Sequence, residues 1–116
     1  MTTYTTAQVR NLTLQHLGVL PSGETPNAAD AELAEAAIET VHAQLDGLNL
    51  LNWPCCAVPA WAVFPVSFLA ANELTDAFGS SAEQMTRIQA KAAAGLIEIR
   101  QQTTVAHSGT TPAVYY

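Results

Sequence analysis

Basic residues are scarce in this chain of 116: four Lys and Arg stand against ten Asp and Glu, for a net charge of −6. A protein with so few cations is poorly equipped to grip nucleic acid by neutralising its phosphates. Cysteine is nearly absent. The two present, Cys55 and Cys56, are adjacent in a proline-flanked segment, and sequence neighbours seldom bridge without backbone strain, so they read as reduced, partly buried small hydrophobes. His16, His42 and His107 lie in three different segments, none four residues from another and none at a finger-like spacing from a cysteine. That pattern argues against a metal centre, and no cofactor is expected. There is no Gly-rich phosphate loop and no Gly-x-Ser-x-Gly elbow, so Ser80 and Ser81 read as helix caps and not as nucleophiles. The apolar run from Ala57 to Ala71 is interrupted by Pro59 and Pro65 and is too short to span a bilayer, so no membrane partner is expected. Met1-Thr2-Thr3-Tyr4 has neither the basic region nor the apolar stretch of a secretion signal, which points to synthesis and use in the cytoplasm.

What is abundant is small and apolar. Nearly half the residues are hydrophobic, many of them Ala, enough for one core of three or four closely packed helices. Thr5 or Thr6 can cap a first helix with Val9, Leu12, His16 and Leu17 on one side, and Gly18 supplies a left-handed stop. Pro21 to Pro26 is a loop by composition. Asn27 can cap a second helix, with Asp30 in its first turn suiting the positive end of the helix dipole. At 100° per residue, Leu33, Ala34, Ala37, Ile38, Val41, Leu45 and Leu48 share an arc of roughly 140°, and Glu32, Glu35, Glu39 and Asp46 share one of roughly 60° opposite. Four evenly exposed acids make a solvated negative face far more often than an acid and base pair, and an enzyme using His42 beside Glu39 is disfavoured because these residues lack a third orienting group and an evident cleft. His42 reads as solvated beside this stripe, and His16 as packed at the edge of the first helix.

Between Gly47 and Pro59 the helical pattern breaks, with a short strand allowed around Cys56 to Val58. A third helix starts at Ala60 or at Pro65 and ends before Gly79, with Phe64, Phe68, Ala71, Thr75 and Phe78 as its apolar stripe, widened by Leu74. Trp53 and Trp61 are either anchors of an Ala-rich core or a binding surface, and the need for bulk favours the anchor. Ser80 or Ser81, with Glu83 or Gln84 three residues on, forms a capping box for a fourth helix. Its buried face is Met85, Ile88, Ala92, Gly95, Leu96 and Ile99, with Arg87, Lys91 and Glu98 opposite. From Thr103 to Tyr116 no helical period and no charged side chain remain. This segment reads either as a frayed tail or as an arm ordered on a neighbour, with Thr103, Thr104, Val105, Pro112, Val114, Tyr115 and Tyr116 as its contact residues. The expected fold is all-α: a bundle of about four helices over residues 1–102 and an extended C-terminal arm over 103–116.

Charge is unevenly divided. Residues 1–78 hold eight acids and one base, Arg10, for −7, and residues 79–116 carry +1. With the helix ending in Leu17-Gly18, the loop, the long helix from Ala28-Ala29-Asp30 through Leu45, Leu48 and Trp53, and the later Leu69-Ala70-Ala71-Asn72-Glu73-Leu74 and Ala77-Phe78-Gly79, the chain resembles the head-to-tail adaptor (connector) proteins of tailed bacteriophages over roughly residues 6 to 100. The resemblance implies a structural, non-enzymatic protein of the virion neck, about twelve copies forming a ring beneath the portal protein. Such a ring seals the packaged head and presents a platform for tail, nozzle or stopper proteins. It also implies that the arm from Thr103 to Tyr116 docks on the portal. Glu32, Glu35, Glu39 and Asp46 become candidates for the wall of the channel, where negative charge lets genomic DNA slide without specific binding. The alternative is a small cytoplasmic regulatory module that pairs with a partner through Trp61, Phe64 and Phe68.

Overall fold

The computed structural model describes residues 3–21, 23–51, 53 and 57–110. It is an all-α bundle: α1 (Thr6–His16), α2 (Ala28–Gly47), α3 (Ala60–Leu74) and α4 (Ala82–Thr110), with two short strands, β1 (Thr3–Tyr4) and β2 (Val58–Pro59). The strands pair antiparallel, Thr3 opposite Pro59 and Tyr4 opposite Val58. They tie the start of the chain to the entrance of α3. Two strands this short leave no alternation in the sequence, so β1 went unexpected, and β2 sits at the end of the short strand allowed for.

The caps follow local chemistry. Thr5 precedes α1 in a full capping box: its hydroxyl accepts from the Gln8 amide at 3.3 Å and its own amide donates to Gln8 Oε1 at 2.8 Å. Asn27 accepts from the Asp30 amide at 2.8 Å. Ser81 accepts from the Gln84 amide at 3.2 Å. The first three helices end in the same way, on a residue of positive φ: Gly18 (76°), Asn49 (60°) and Gly79 (62°). In each, the next residue's amide reaches back five residues, Val19 to Leu14, Leu50 to Leu45 and Ser80 to Thr75, at 2.8–3.2 Å, the Schellman closure that satisfies orphan carbonyls. Asn49 had not been read as a helix stop. It serves as one because its short polar side chain tolerates the left-handed region.

Helix α3 is the centre, touching α1, α2 and α4. Its buried residues are Ala62, Val63, Pro65, Val66, Ser67, Ala70, Ala71 and Leu74, with Thr75 just beyond. The expected stripe is thus correct in its second half and wrong in its first. Phe64 is 56% exposed and Phe68 is half-buried, whereas Phe78 packs against the core. Helices packed on several sides of α3 need short side chains between them, and the Phe64 and Phe68 rings are displaced to the outer side. The closest approach is at Gly95 of α4, where a Cβ would lie 2.9 Å from Pro65 Cα and 3.1 Å from Pro65 Cβ. Pro65 lies inside the helix, which starts at Ala60. Having no N–H, it leaves one carbonyl of the preceding turn without its helical partner.

Helix α2 buries Ala34, Ala37, Ile38, Val41 and Leu45, but the arc is narrower than expected: Leu33 and Leu48 are 44% and 52% exposed. On α4, Ile88, Ala92, Gly95 and Ile99 are buried as expected, with Met85 and Leu96 at the margins. Trp53 is buried and meets Trp61 edge-on, with centroids 5.6 Å apart at 88°, the arrangement of a core anchor.

One boundary must be corrected. Helix α4 runs through Thr110, so Thr103, Thr104 and Val105 belong to a helix and not to an extended arm. Thr103 occupies the next buried position of the α4 stripe, and its hydroxyl donates to the Leu50 carbonyl at 3.3 Å. Extending a formed helix adds a hydrogen bond for each residue ordered, whereas a β-branched residue costs only some tenths of a kcal/mol. Pro112, Val114, Tyr115, Tyr116, Cys55 and Cys56 lie outside the described residues.

Candidate functional site

His16 and His42 are committed to packing. His16 stacks on Phe68 (centroids 3.8 Å, 12°), and its Nε2 lies 2.9 Å from the Ser67 hydroxyl. That hydroxyl donates to the Phe64 carbonyl at 2.9 Å, which makes His16 Nε2 the N–H donor of the pair. Burial, and secondarily the Arg87 guanidinium, lower His16 to a pKa of about 4, so the ring is neutral near pH 7. His42 is not solvated as expected. It is half-buried and accepts a hydrogen bond at Nε2 from Trp53 Nε1–H at 3.1 Å. Indole only donates, so His42 carries its proton on Nδ1, on the side of the Ile38 carbonyl. Desolvation lowers its pKa, and the Ile38 bond opposes that in part. Neither ring is poised for proton transfer. Among the described residues, no group of three or more His, Cys, Asp and Glu is placed to hold a metal ion.

Surface chemistry lies elsewhere. On α2, Glu32, Glu39 and Asp46 recur every seven residues and are exposed. The fourth acid of that stripe is engaged: Glu35 Oε2 lies 2.7 Å from Arg10 Nη1 of α1. This half-exposed bridge fastens the two helices at a worth of about 0.2–1 kcal/mol. The acidic face is therefore three residues and not four.

A second surface lies between α3 and α4. Phe64, Pro65 and Phe68 from one side and Lys91, Ala94, Gly95 and Glu98 from the other line an open groove of about 440 Å³. It exists because Gly95 brings the helix backbones together while the two Phe rings stand away from the core. Compared with known protein families, curated proteins and solved structures, the chain matches none. Function must therefore be argued from these surfaces.

The structure does not bring the acids of α2 and the groove together. They flank different sides of α3, and α2 and α4 hardly touch. Of the residues expected in a C-terminal arm, Thr103 is turned into the bundle. No described helix is long and apolar enough to cross a membrane. The groove was missed because Phe64 and Phe68 were assigned to the core. Ala62, Val63, Val66, Ala70 and Leu74 already make a complete apolar stripe without them, and that was the available signal.

Proposed function

We propose that this protein is a structural adaptor of the tailed-phage neck, present in the virion as a ring of about twelve copies beneath the portal, and that it is not an enzyme. The observation that carries the reading is the placement of exposed apolar side chains. Leu33 on α2, Leu48 at its C-terminal cap, Phe64 on α3 and Ile97 on α4 are each 44–57% exposed, so a small bundle offers apolar contacts on more than one side. A subunit with neighbours on several sides has a use for such contacts at each of them. The order of elements supports the reading, as the resemblance to head-to-tail adaptors rests on it. The net charge of −6 suits a ring through which DNA must pass without sticking. Tail, nozzle or stopper proteins would attach below.

The test is co-sedimentation of the protein with the portal protein from the same genome, followed by imaging of the complex. A ring with the portal's symmetry is the expected outcome. A chain that ignores portal at every salt concentration and stays monomeric instead supports a cytoplasmic module whose partner occupies the Phe64 groove.

A further inference from the structure

The acidic face of α2 and the groove between α3 and α4 carry different charged side chains. Helix α2 carries Asp30, Glu32, Glu35, Glu39 and Asp46 and no Lys or Arg, and among the described residues only Glu35 is in an ion pair, with Arg10. Helix α4 carries Lys91 with Glu98 on the groove and Arg87 one turn earlier beside Glu83, and neither cation forms an ion pair among the described residues. Each face also offers a large exposed apolar side chain, Leu33 next to the acids and Phe64 in the groove. Leu33 lies on the flank of α2 with Ala36 and Thr40, beside Glu32 and Glu39 on the helical wheel. This stretch is narrow and uncharged, and it suits insertion between two rows of side chains.

We propose that neighbouring copies of this chain join head to tail, the Leu33 flank of α2 in one copy seating against the α3–α4 groove of the next, with Glu32 and Glu39 facing Arg87 and Lys91. The inference rests on the ring reading above and assigns its intersubunit surface. Because the two faces are different and sit on different sides of the subunit, a contact between them leaves one free face at each end. It therefore propagates into a ring or filament and does not close as a two-fold dimer. Glu98 on the groove and Glu83 beside Arg87 repel the incoming acids and confine them to the stretch between Arg87 and Lys91. The same acids cannot both pair with a neighbour and line the channel, so the channel-lining role implied for Glu32, Glu39 and Asp46 is the competing outcome.

Sedimentation velocity of the full chain over a concentration series decides between them. Four samples are compared: wild type, E32K/E39K, R87E/K91E, and an equimolar mixture of the two variants, with circular dichroism to confirm that each is folded. Wild type is expected to self-associate, less so as salt rises. Each variant alone should associate at least about tenfold more weakly, since like charges then meet at every junction. The mixture should regain association, because alternating copies restore opposite charges at both kinds of junction. Wild type that remains monomeric at millimolar concentration overturns the inference, as do variants that associate like wild type, or a mixture that fails to recover. Portal co-sedimentation separates this result from the adaptor reading. E32K/E39K that still forms a ring on portal but retards DNA passage places the acids in the channel, so that the inference falls and the adaptor stands. Charge-dependent self-association without portal binding does the reverse.

Discussion

Gly95 is the residue on which the packing of α4 against α3 turns. An Ala there would normally favour a helix by about 1 kcal/mol, but its Cβ would stand 2.9 Å from the Pro65 Cα, a backbone atom that cannot swing aside. Gly95→Ala is therefore expected to destabilise the protein by about 1–3 kcal/mol through overpacking, read as a lower urea midpoint with an unchanged slope. A rise in stability would mean that the two helices part freely. The buried face of α4 could be read from spacing alone, and Gly95 was placed on it correctly. That its contact would be a proline backbone depends on which helix crosses at that point, and helical periodicity carries no such information.

Individual elements announce their ends clearly. Threonine, asparagine and serine caps and two of the three left-handed stops occur where short-range hydrogen bonding requires them, and short-range chemistry is contained in a few consecutive residues. The long-range capping is different. Gln84 was expected to complete a capping box at the start of its own helix, yet its Nε2 donates to the Leu17 carbonyl at 2.9 Å and also approaches that of His16. It thereby satisfies a C-terminal carbonyl of α1, 67 residues away. Gln84→Glu removes the donor and sets a carboxylate against the negative end of the α1 dipole. A loss of about 1–2 kcal/mol is expected in chemical denaturation, along with faster amide exchange in the last turn of α1. Unchanged exchange there would show that the link carries no weight. Thr103 makes the same point for α4: with its side chain on Leu50, tertiary contact favours helix where composition suggested an arm.

The whole molecule should respond to acid through its two packed histidines. Both have folded pKa values below the ordinary 6.5, His16 at about 4. As pH falls through 6.5 the unfolded chain takes up protons that the folded one refuses, so this contribution to stability declines with falling pH and, for His16, levels off below about 4. Above 6.5 both states are neutral at these rings and the contribution is constant. Urea midpoints measured across that window should decline. They should decline less steeply in His16→Gln, which keeps a donor for Ser67 but does not titrate. Identical slopes for the two proteins would exclude His16 as a source.

The sequence by itself determined that the protein is helical, where α1, α2 and α4 begin to within a residue, which face of α4 is buried and where its negative charge is concentrated, because each depends on neighbours within one or two turns. Only the tertiary structure decided that α3 is central, that Phe64 stands outside while Ala62, Val66 and Ala70 lie within, and that Glu35 is held by Arg10. It alone also decided that His42 serves Trp53 and that the acidic face of α2 and the α3–α4 groove flank different sides of α3. Those outcomes depend on which helices share α3, and a helix surrounded on several sides selects small residues for contact by steric exclusion, against the larger hydrophobic gain of a buried ring.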